Sequence, residues 1–253
     1  MVYDRAGKRL APAGAGSLLL TQVPFRLWVT LGGEPQEGPG FLVHVSDIRS
    51  ALAEALEKER VKASHTLDVM GWARGVMKDK FRDFKLLRLE VELNERLKVS
   101  WRTEDQEMIQ VTKKYELAAS HRLWNPDWGE KRNFAVYGKC SNPRGHGHNY
   151  ILEVTLRGKP DRRTGQAADL EEIDRVVREN VIERFDHKNL NEDTSEFAEM
   201  IPTVENMVKV FWELLLGKFS RGELVRVAVW ETAKTYAEYF GPTAGPLRYS
   251  DAV

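Results

Sequence analysis

The 253-residue sequence predicts an α+β protein that uses one order of elements twice: strand, strand, helix, helix, strand, strand. Three observations predict it: an internal repeat, apolar stripes of helical period inside each repeat, and flanking runs that read as extended chain. The segment Trp28-Val29-Thr30-Leu31-Gly32-Gly33-Glu34-Pro35 lies 125 positions before Glu153-Val154-Thr155-Leu156-Arg157-Gly158-Lys159-Pro160. The same offset pairs Gly40 with Gly165, so each copy has a strand followed by a turn.

At that offset Val45, Ile48, Leu52 and Leu56 match Leu170, Ile173, Val177 and Val181. Each set falls at i, i+3, i+7 and i+11, the stripe of a helix packed on one face. Further on, Thr66-Leu67-Asp68-Val69-Met70 matches Thr203-Val204-Glu205-Asn206-Met207 at an offset of 137, opening a second helix that ends near Lys80 and near Lys218. Leu86 to Val91 then resembles Leu224 to Val229 as the following strand. An alternating strand over Val111–Leu123 opens the second copy, while the first strand of the first copy is poorly defined. The polar run Glu104-Asp105-Gln106-Glu107 is the natural boundary, which predicts a mobile arm over 1–17, a first domain over 18–105 and a second over 106–253. The step in offset means that copy one lacks about a dozen residues between its helices, in the stretch that holds Asp186 to Asn191 in copy two.

With 42% hydrophobic residues the chain can build ordinary cores, and 38 basic against 38 acidic residues leave no positive excess for nucleic acid or anionic lipid. Apolar runs such as Leu18–Leu20 and Val210–Leu216 fall far short of the roughly 20 residues that cross a bilayer. Met1 to Ser17 has no signal-peptide core, and the single cysteine, Cys140, forms no intrachain disulfide. A cytoplasmic protein is expected.

Chemistry concentrates in the second copy. In Gly145-His146-Gly147-His148-Asn149-Tyr150 the histidines sit two apart on an extended run, so both imidazoles share a face, and the intervening Gly147 is expected to allow close backbone approach. His121, at the end of the preceding strand, supplies a third nitrogen. Three histidines with an open fourth position describe a catalytic zinc site. Cys140 lies six residues before His146, where a metal would favour its thiolate, although most lone cysteines are small buried hydrophobes. Asp186-His187 follows a helix ending near Phe185. Glu231, among Val229, Trp230 and Thr232, is an acid in apolar surroundings that needs a partner.

Together, Tyr137-Gly138-Lys139-Cys140-Ser141-Asn142-Pro143-Arg144-Gly145-His146-Gly147-His148-Asn149-Tyr150 closely resembles the signature of the 6-pyruvoyl/6-carboxytetrahydropterin synthase family. Ala118 to Leu123, Phe185 to Asn191, Pro202 to Asn206 and Trp230 to Thr232 follow in the family's order, and the resemblance spans roughly Ile109 to Phe240. It implies that His121, His146 and His148 hold zinc, that Cys140 is the general base in a relay with Asp186 and His187, and that Glu231 anchors the pterin ring, with Thr203 a weaker contact. The implied substrate is 7,8-dihydroneopterin triphosphate. Zinc would acidify carbon-bound protons as a Lewis acid while Cys140 and His187 move them.

The resemblance also implies the tunnelling fold, a four-stranded antiparallel sheet with a helix pair on one face, whose sheets join between subunits into a barrel. Family members resemble two stacked rings of three subunits, so a two-copy chain is expected to form a homotrimer. Copy one has no His-Gly-His and no cysteine, and Leu93 stands where copy two has Glu231, so it is expected to be catalytically silent. His44 and His65 are expected at the surface or at helix ends. Two products stay open: 6-pyruvoyltetrahydropterin, on the tetrahydrobiopterin route, and 6-carboxytetrahydropterin, on the route to queuosine. The six-residue step from Cys140 to His146 resembles the pyruvoyl type. A non-catalytic pterin- or zinc-binding module is the alternative from another class, disfavoured because a binder has no use for the thiol or the relay.

Overall fold

A computed structural model describes residues 2–3, 9–10, 25–59, 66–105, 107–161, 163–242 and 248–251. Most of the expected arm over 1–17, the Leu18–Leu20 run and His65 lie outside the described residues. The chain divides into two compact units, one of residues up to Val111 with Gly158–Ala167, the other of Thr112–Arg157 with Ala168–Val253. Among the described residues no helix is long and apolar enough to cross a membrane.

The first unit contains β1 (Arg26–Gly32), α1 (Val45–Glu59), α2 (Thr66–Lys80), β2 (Lys85–Asn94) and β3 (Leu97–Arg102). The strands pair antiparallel in the order β1-β2-β3. Leu27, Leu89, Val91 and Val99 alternate along them and are buried together with Val69, Ala73 and Met77 of α2. The stripe expected on α1 holds only in part: Leu52 is fully buried, but Val45 is 57% exposed. Val45 is the first residue of the helix, where there is no preceding turn to carry its side chain over the sheet. His44, just ahead of α1, is exposed and hydrogen-bonds the Ser46 hydroxyl at 2.5 Å.

The second unit is built on β4 (Ile109–His121), β5 (His146–Gly158), β7 (Glu223–Trp230) and β8 (Thr235–Tyr239), in the sheet order β8-β7-β5-β4. Between β4 and β5 the chain forms α3 (Glu130–Tyr137) and a 3-10 turn, Gly138–Ser141, an excursion for which no helix was expected. α4 (Leu170–Val177) is capped by Asp169, whose side chain accepts from the amides of Glu171 and Glu172. It continues through a π-helical turn, Arg178–Ile182, into a last turn, Glu183–Phe185. The two-residue strand β6 (Lys188–Asn189) then pairs parallel with β4. α5 (Val204–Leu215) ends three residues before Lys218.

Here three of the four expected stripe residues, Ile173, Val177 and Val181, are at 0% exposure, while Leu170, the first residue of the helix, is half-buried. Met207, Val208, Phe211 and Leu215 of α5 and Leu152, Val154, Val227 and Val229 of the sheet are buried too, and α5 packs on the π-helical turn and on β7. One face of the sheet is therefore covered by helices. The other carries a charge network in which Arg226 bonds Glu153 at 2.7 Å and Glu238 at 2.7 Å, while Lys114 approaches Glu153 at 3.3 Å.

The β1–β2 and β5–β7 pairs run in the same register. Leu27 faces Val91 as Leu152 faces Val229, and Thr30 faces Arg88 as Thr155 faces Arg226. Each pairing is broken by one irregularity, between Thr30 and Leu31 in the first and between Thr155 and Leu156 in the second.

Candidate metal centre and active site

The end of β4 and the start of β5 bring His121, His146 and His148 together, with one candidate ligand atom from each lying within 4.8 Å of the others. Alternation along β5 does this for His146 and His148, whose ring centroids are 4.6 Å apart. His121 is 1% exposed, and its Nε2 lies 3.3 Å from His146 Nε2. The approach of the two strands depends on a glycine other than the expected one. A Cβ on Gly147 would meet Ala119 O at 3.6 Å and Ser120 Cβ at 4.0 Å, ordinary contacts, whereas one on Gly145 would meet His121 O at 2.6 Å. Gly145 also has a φ of 63°, so it is the residue that seats β5 against His121.

His121 Nδ1 lies 2.9 Å from the Pro202 carbonyl and 3.3 Å from the Tyr150 hydroxyl. A carbonyl only accepts, so Nδ1 carries the proton and the Nε2 lone pair is turned to the other histidines. Burial, with smaller contributions from His146 and His148, pulls the His121 pKa down from 6.5 to about 4 against the Pro202 bond. Burial lowers His146 and His148 as well, His148 also acting on His146. His146 Nδ1 and His148 Nε2 are buried without a hydrogen-bond partner. Three neutral imidazoles, with buried nitrogens left unbonded, fit the donor set of a three-histidine zinc site.

Glu231 closes one side. It stands where β7 enters the turn to β8, its amide donating to Thr235 O at 2.9 Å. Its Oε1 is 3.5 Å from His121 Nε2 and 3.4 Å from His148 Nε2. Burial raises its pKa, and Glu205 adds to this while His146 opposes it. Cys140, half-buried in the 3-10 turn, has its thiol pKa raised by burial and then by Glu231. Tyr150 is raised by burial, Glu231 and Cys140, which puts all three groups in one field. Every charged form in this cluster is therefore disfavoured, imidazolium, carboxylate and thiolate alike, and a bound cation would favour the two anions while keeping the imidazoles neutral.

Asp186 and His187 form a pair, Asp186 Oδ2 lying 2.9 Å from His187 Nδ1. Asp186 Oδ1 accepts from Ala118 N at 2.7 Å, and His187 N donates to Ala118 O at 2.6 Å. Burial would raise the Asp186 pKa, but the Ala118 bond and His187 outweigh it and the net shift is downward. His187 is the non-glycine residue with positive φ, at 58°, among the described residues, and its side chain is 82% exposed. Such backbone is held only where surroundings impose it, and it aims the imidazole outward. Among the described residues no hydrogen bond joins this pair to Cys140. The Thr203 hydroxyl oxygen accepts from Asn206 N at 3.3 Å and caps α5.

Two groups escaped the residue-by-residue reading. Tyr150 follows His148 by two on the same face, so the strand period could have found it. The Pro202 carbonyl, 81 residues from His121, left no sequence signal.

An antiparallel sheet backed by two helices, with three imidazoles converging at the ends of adjacent strands, defines a class of α+β protein with a candidate mononuclear metal site. Residues 110–242 match the family described as 6-pyruvoyl tetrahydropterin synthase, and the chain belongs to that family. It is 38% identical over 133 residues to the 6-pyruvoyl tetrahydrobiopterin synthase of Drosophila melanogaster, covering 52% of this chain and 79% of that one. It is 28% identical over 159 residues to the 6-carboxy-5,6,7,8-tetrahydropterin synthase of Aquifex aeolicus, covering 51% of this chain and 96% of that one. The solved structure of Caenorhabditis elegans 6-pyruvoyl tetrahydropterin synthase superposes with a TM-score of 0.50 at 32% identity, over 53% of this chain and 96% of that one.

Proposed function

We propose that the second unit is a zinc-dependent tetrahydropterin synthase that converts 7,8-dihydroneopterin triphosphate to 6-pyruvoyltetrahydropterin with release of triphosphate. The observation that carries the reading is the convergence of His121, His146 and His148 as neutral imidazoles, with Cys140 and Glu231 in the same electrostatic field. Zinc bound there would supply Lewis-acid polarisation of the substrate's side-chain oxygens. The chain's own groups do the rest.

Glu231 accepts N–H donors of the pterin ring, a use for a carboxylate that burial otherwise disfavours. Cys140 takes a proton from the substrate side chain. Its raised pKa keeps it a thiol until positive charge enters the site, so the base is generated where it is used. His187, oriented by Asp186, returns protons to the ring carbon. Because His187 points outward and makes no hydrogen bond to Cys140, the relay is read as forming between neighbouring chains, each His187 serving another chain's thiol.

The first unit is read as a degenerate, catalytically silent copy over 18–105, supported by the shared register of β1–β2 and β5–β7. The second copy spans 106–253. A homotrimer, at about 87 kDa for three chains of 29.0 kDa, lets one ring hold active copies and the other silent ones. Light scattering that returns a monomer overturns that assembly. The pyruvoyl product is favoured over the 6-carboxy one by the six-residue step from Cys140 to His146. Incubation with dihydroneopterin triphosphate followed by mass spectrometry tests the whole reading: 6-pyruvoyltetrahydropterin is expected, 6-carboxytetrahydropterin reassigns the product, and unchanged substrate favours a non-catalytic pterin-binding module.

A further inference from the structure

Beside His146, the β4–β5 excursion lines an open cleft of about 1110 Å³. Arg122, Trp124, Lys131, Phe134, Lys139 and His146 are among its lining residues. Lys131 and Lys139 form no ion pair among the described residues, and Glu130 is the one carboxylate in the lining. The cleft is therefore cationic, with an apolar wall, and it shares His146 with the candidate metal centre.

Arg122 is held in place at every part but one. Its backbone is clamped by a single side chain, the amide donating to Asn191 Oδ1 at 2.7 Å and the carbonyl accepting from Asn191 Nδ2 at 3.0 Å. Its Nε donates to Ser141 O at 3.2 Å, and its guanidinium lies 4.0 Å over the Trp124 ring. What remains is the outer edge of the guanidinium, two Nη groups with no acceptor among the described residues. A planar donor fork whose rotamer is already fixed loses little freedom on binding, and its geometry matches two oxygens of a phosphate.

We infer that Arg122 is the residue that grips the polyphosphate chain of the substrate, with Lys139 and Lys131 adding charge along the cleft. The inference rests on the proposed function, because that reading supplies a triphosphate ester whose pterin end sits at Glu231. Arg122 is a binding residue here and takes no proton. Its clamp to Asn191 is made by backbone atoms, so replacing the side chain leaves the loop anchored.

The test uses the zinc-loaded full chain and calorimetric titration with two probes, inorganic tripolyphosphate and 7,8-dihydroneopterin, which has no phosphate. Arg122→Gln is expected to weaken tripolyphosphate binding about 10–100-fold, as loss of charge-assisted hydrogen bonds does, and to leave dihydroneopterin binding unchanged. Arg122→Lys should restore only part of the loss, since an ammonium has no fork. Unchanged tripolyphosphate affinity in Arg122→Gln, or an equal loss for both probes, overturns the inference. Should Arg122→Gln fail to fold, Lys139→Gln tests the same cleft, an unchanged affinity counting against it and a several-fold loss for it. Arg122-dependent tripolyphosphate binding by a protein that neither binds dihydroneopterin nor turns over its triphosphate would keep the subsite and refute the proposed function. Normal turnover with an indifferent Arg122→Gln would do the reverse.

Discussion

The β1–β2 and β5–β7 strand pairs share seven facing positions and the same irregularity, yet only the second ends in a candidate active site. Where β7 runs on to Glu231, the matching position, inside β2, is Leu93. The difference teaches that pairing register and site chemistry are separable. Register follows from which alternate residues are buried, because a one-residue slip would turn every apolar side chain to the wrong face. Leu27, Leu89 and Val91 keep that requirement in the first pair as Leu152, Val227 and Val229 keep it in the second. A zinc site depends on a few side chains at one end, which a scaffold can lose without changing its pairing.

The largest expected effect tests that separation directly. His148→Ala should remove the metal and abolish turnover while circular dichroism stays native, and metal analysis of the parent protein should give one zinc per chain. Two zincs per chain would place a second site in the first unit. Next, Cys140→Ala should keep zinc and substrate binding and lower turnover about 10²–10⁴-fold, the usual contribution of a general base. Near-normal single-turnover rates would remove the thiol from the chemistry.

Arg226 and Arg88 occupy matching positions in the two pairs, which makes their replacement a comparison of environments. Arg226, at 19% side-chain exposure, faces two carboxylates, and Glu153 beneath it is only 6% exposed. Burial opposes its charge, but Glu153 and Glu238 more than offset this and raise its pKa. Arg226→Met should cost about 3–5 kcal/mol in urea denaturation, because it takes the guanidinium away from the buried Glu153 carboxylate. Arg88, 34% exposed and paired with Glu90, should cost about 1 kcal/mol or less when changed to Met. Equal losses would mean that the buried network is not what distinguishes the second unit.

The metal-free protein should also respond to acid through its second unit. His121 has a folded pKa of about 4 against an ordinary 6.5, so the unfolded chain takes up the proton first. Stability is then fully present above pH 6.5 and falls as pH drops towards 4, by up to about 3 kcal/mol for this group. His146 and His148 shift the same way, while Glu231, whose folded pKa is raised, works in the opposite sense. Thermal melts of wild type and His121→Gln between pH 7 and pH 4 check this, and a wild-type slope unchanged by the substitution would contradict it. Smallest, Glu231→Gln should weaken pterin binding about 10-fold and leave zinc in place. Loss of zinc instead would make Glu231 a fourth ligand, as its 3.4 and 3.5 Å approaches to two imidazoles allow.

Much of this was legible in the residues themselves, because it is periodic. The spacing of Ile173, Val177 and Val181 gave a buried helix face, and the alternation of His146 with His148 gave a same-face pair, both properties of a local repeat. Local period says nothing of what arrives from elsewhere in the chain. Only the folded chain shows Pro202 choosing the His121 tautomer, Gly145 rather than Gly147 bearing the close contact, and Asn191 clamping Arg122. Only there does Val45 prove exposed and His187 turn outward on a left-handed backbone. The sequence by itself determined which residue types could bind a metal and carry protons. Tertiary structure decided their protonation and aim, since both depend on burial and on carbonyls, amides and carboxylates brought near from distant positions in the chain.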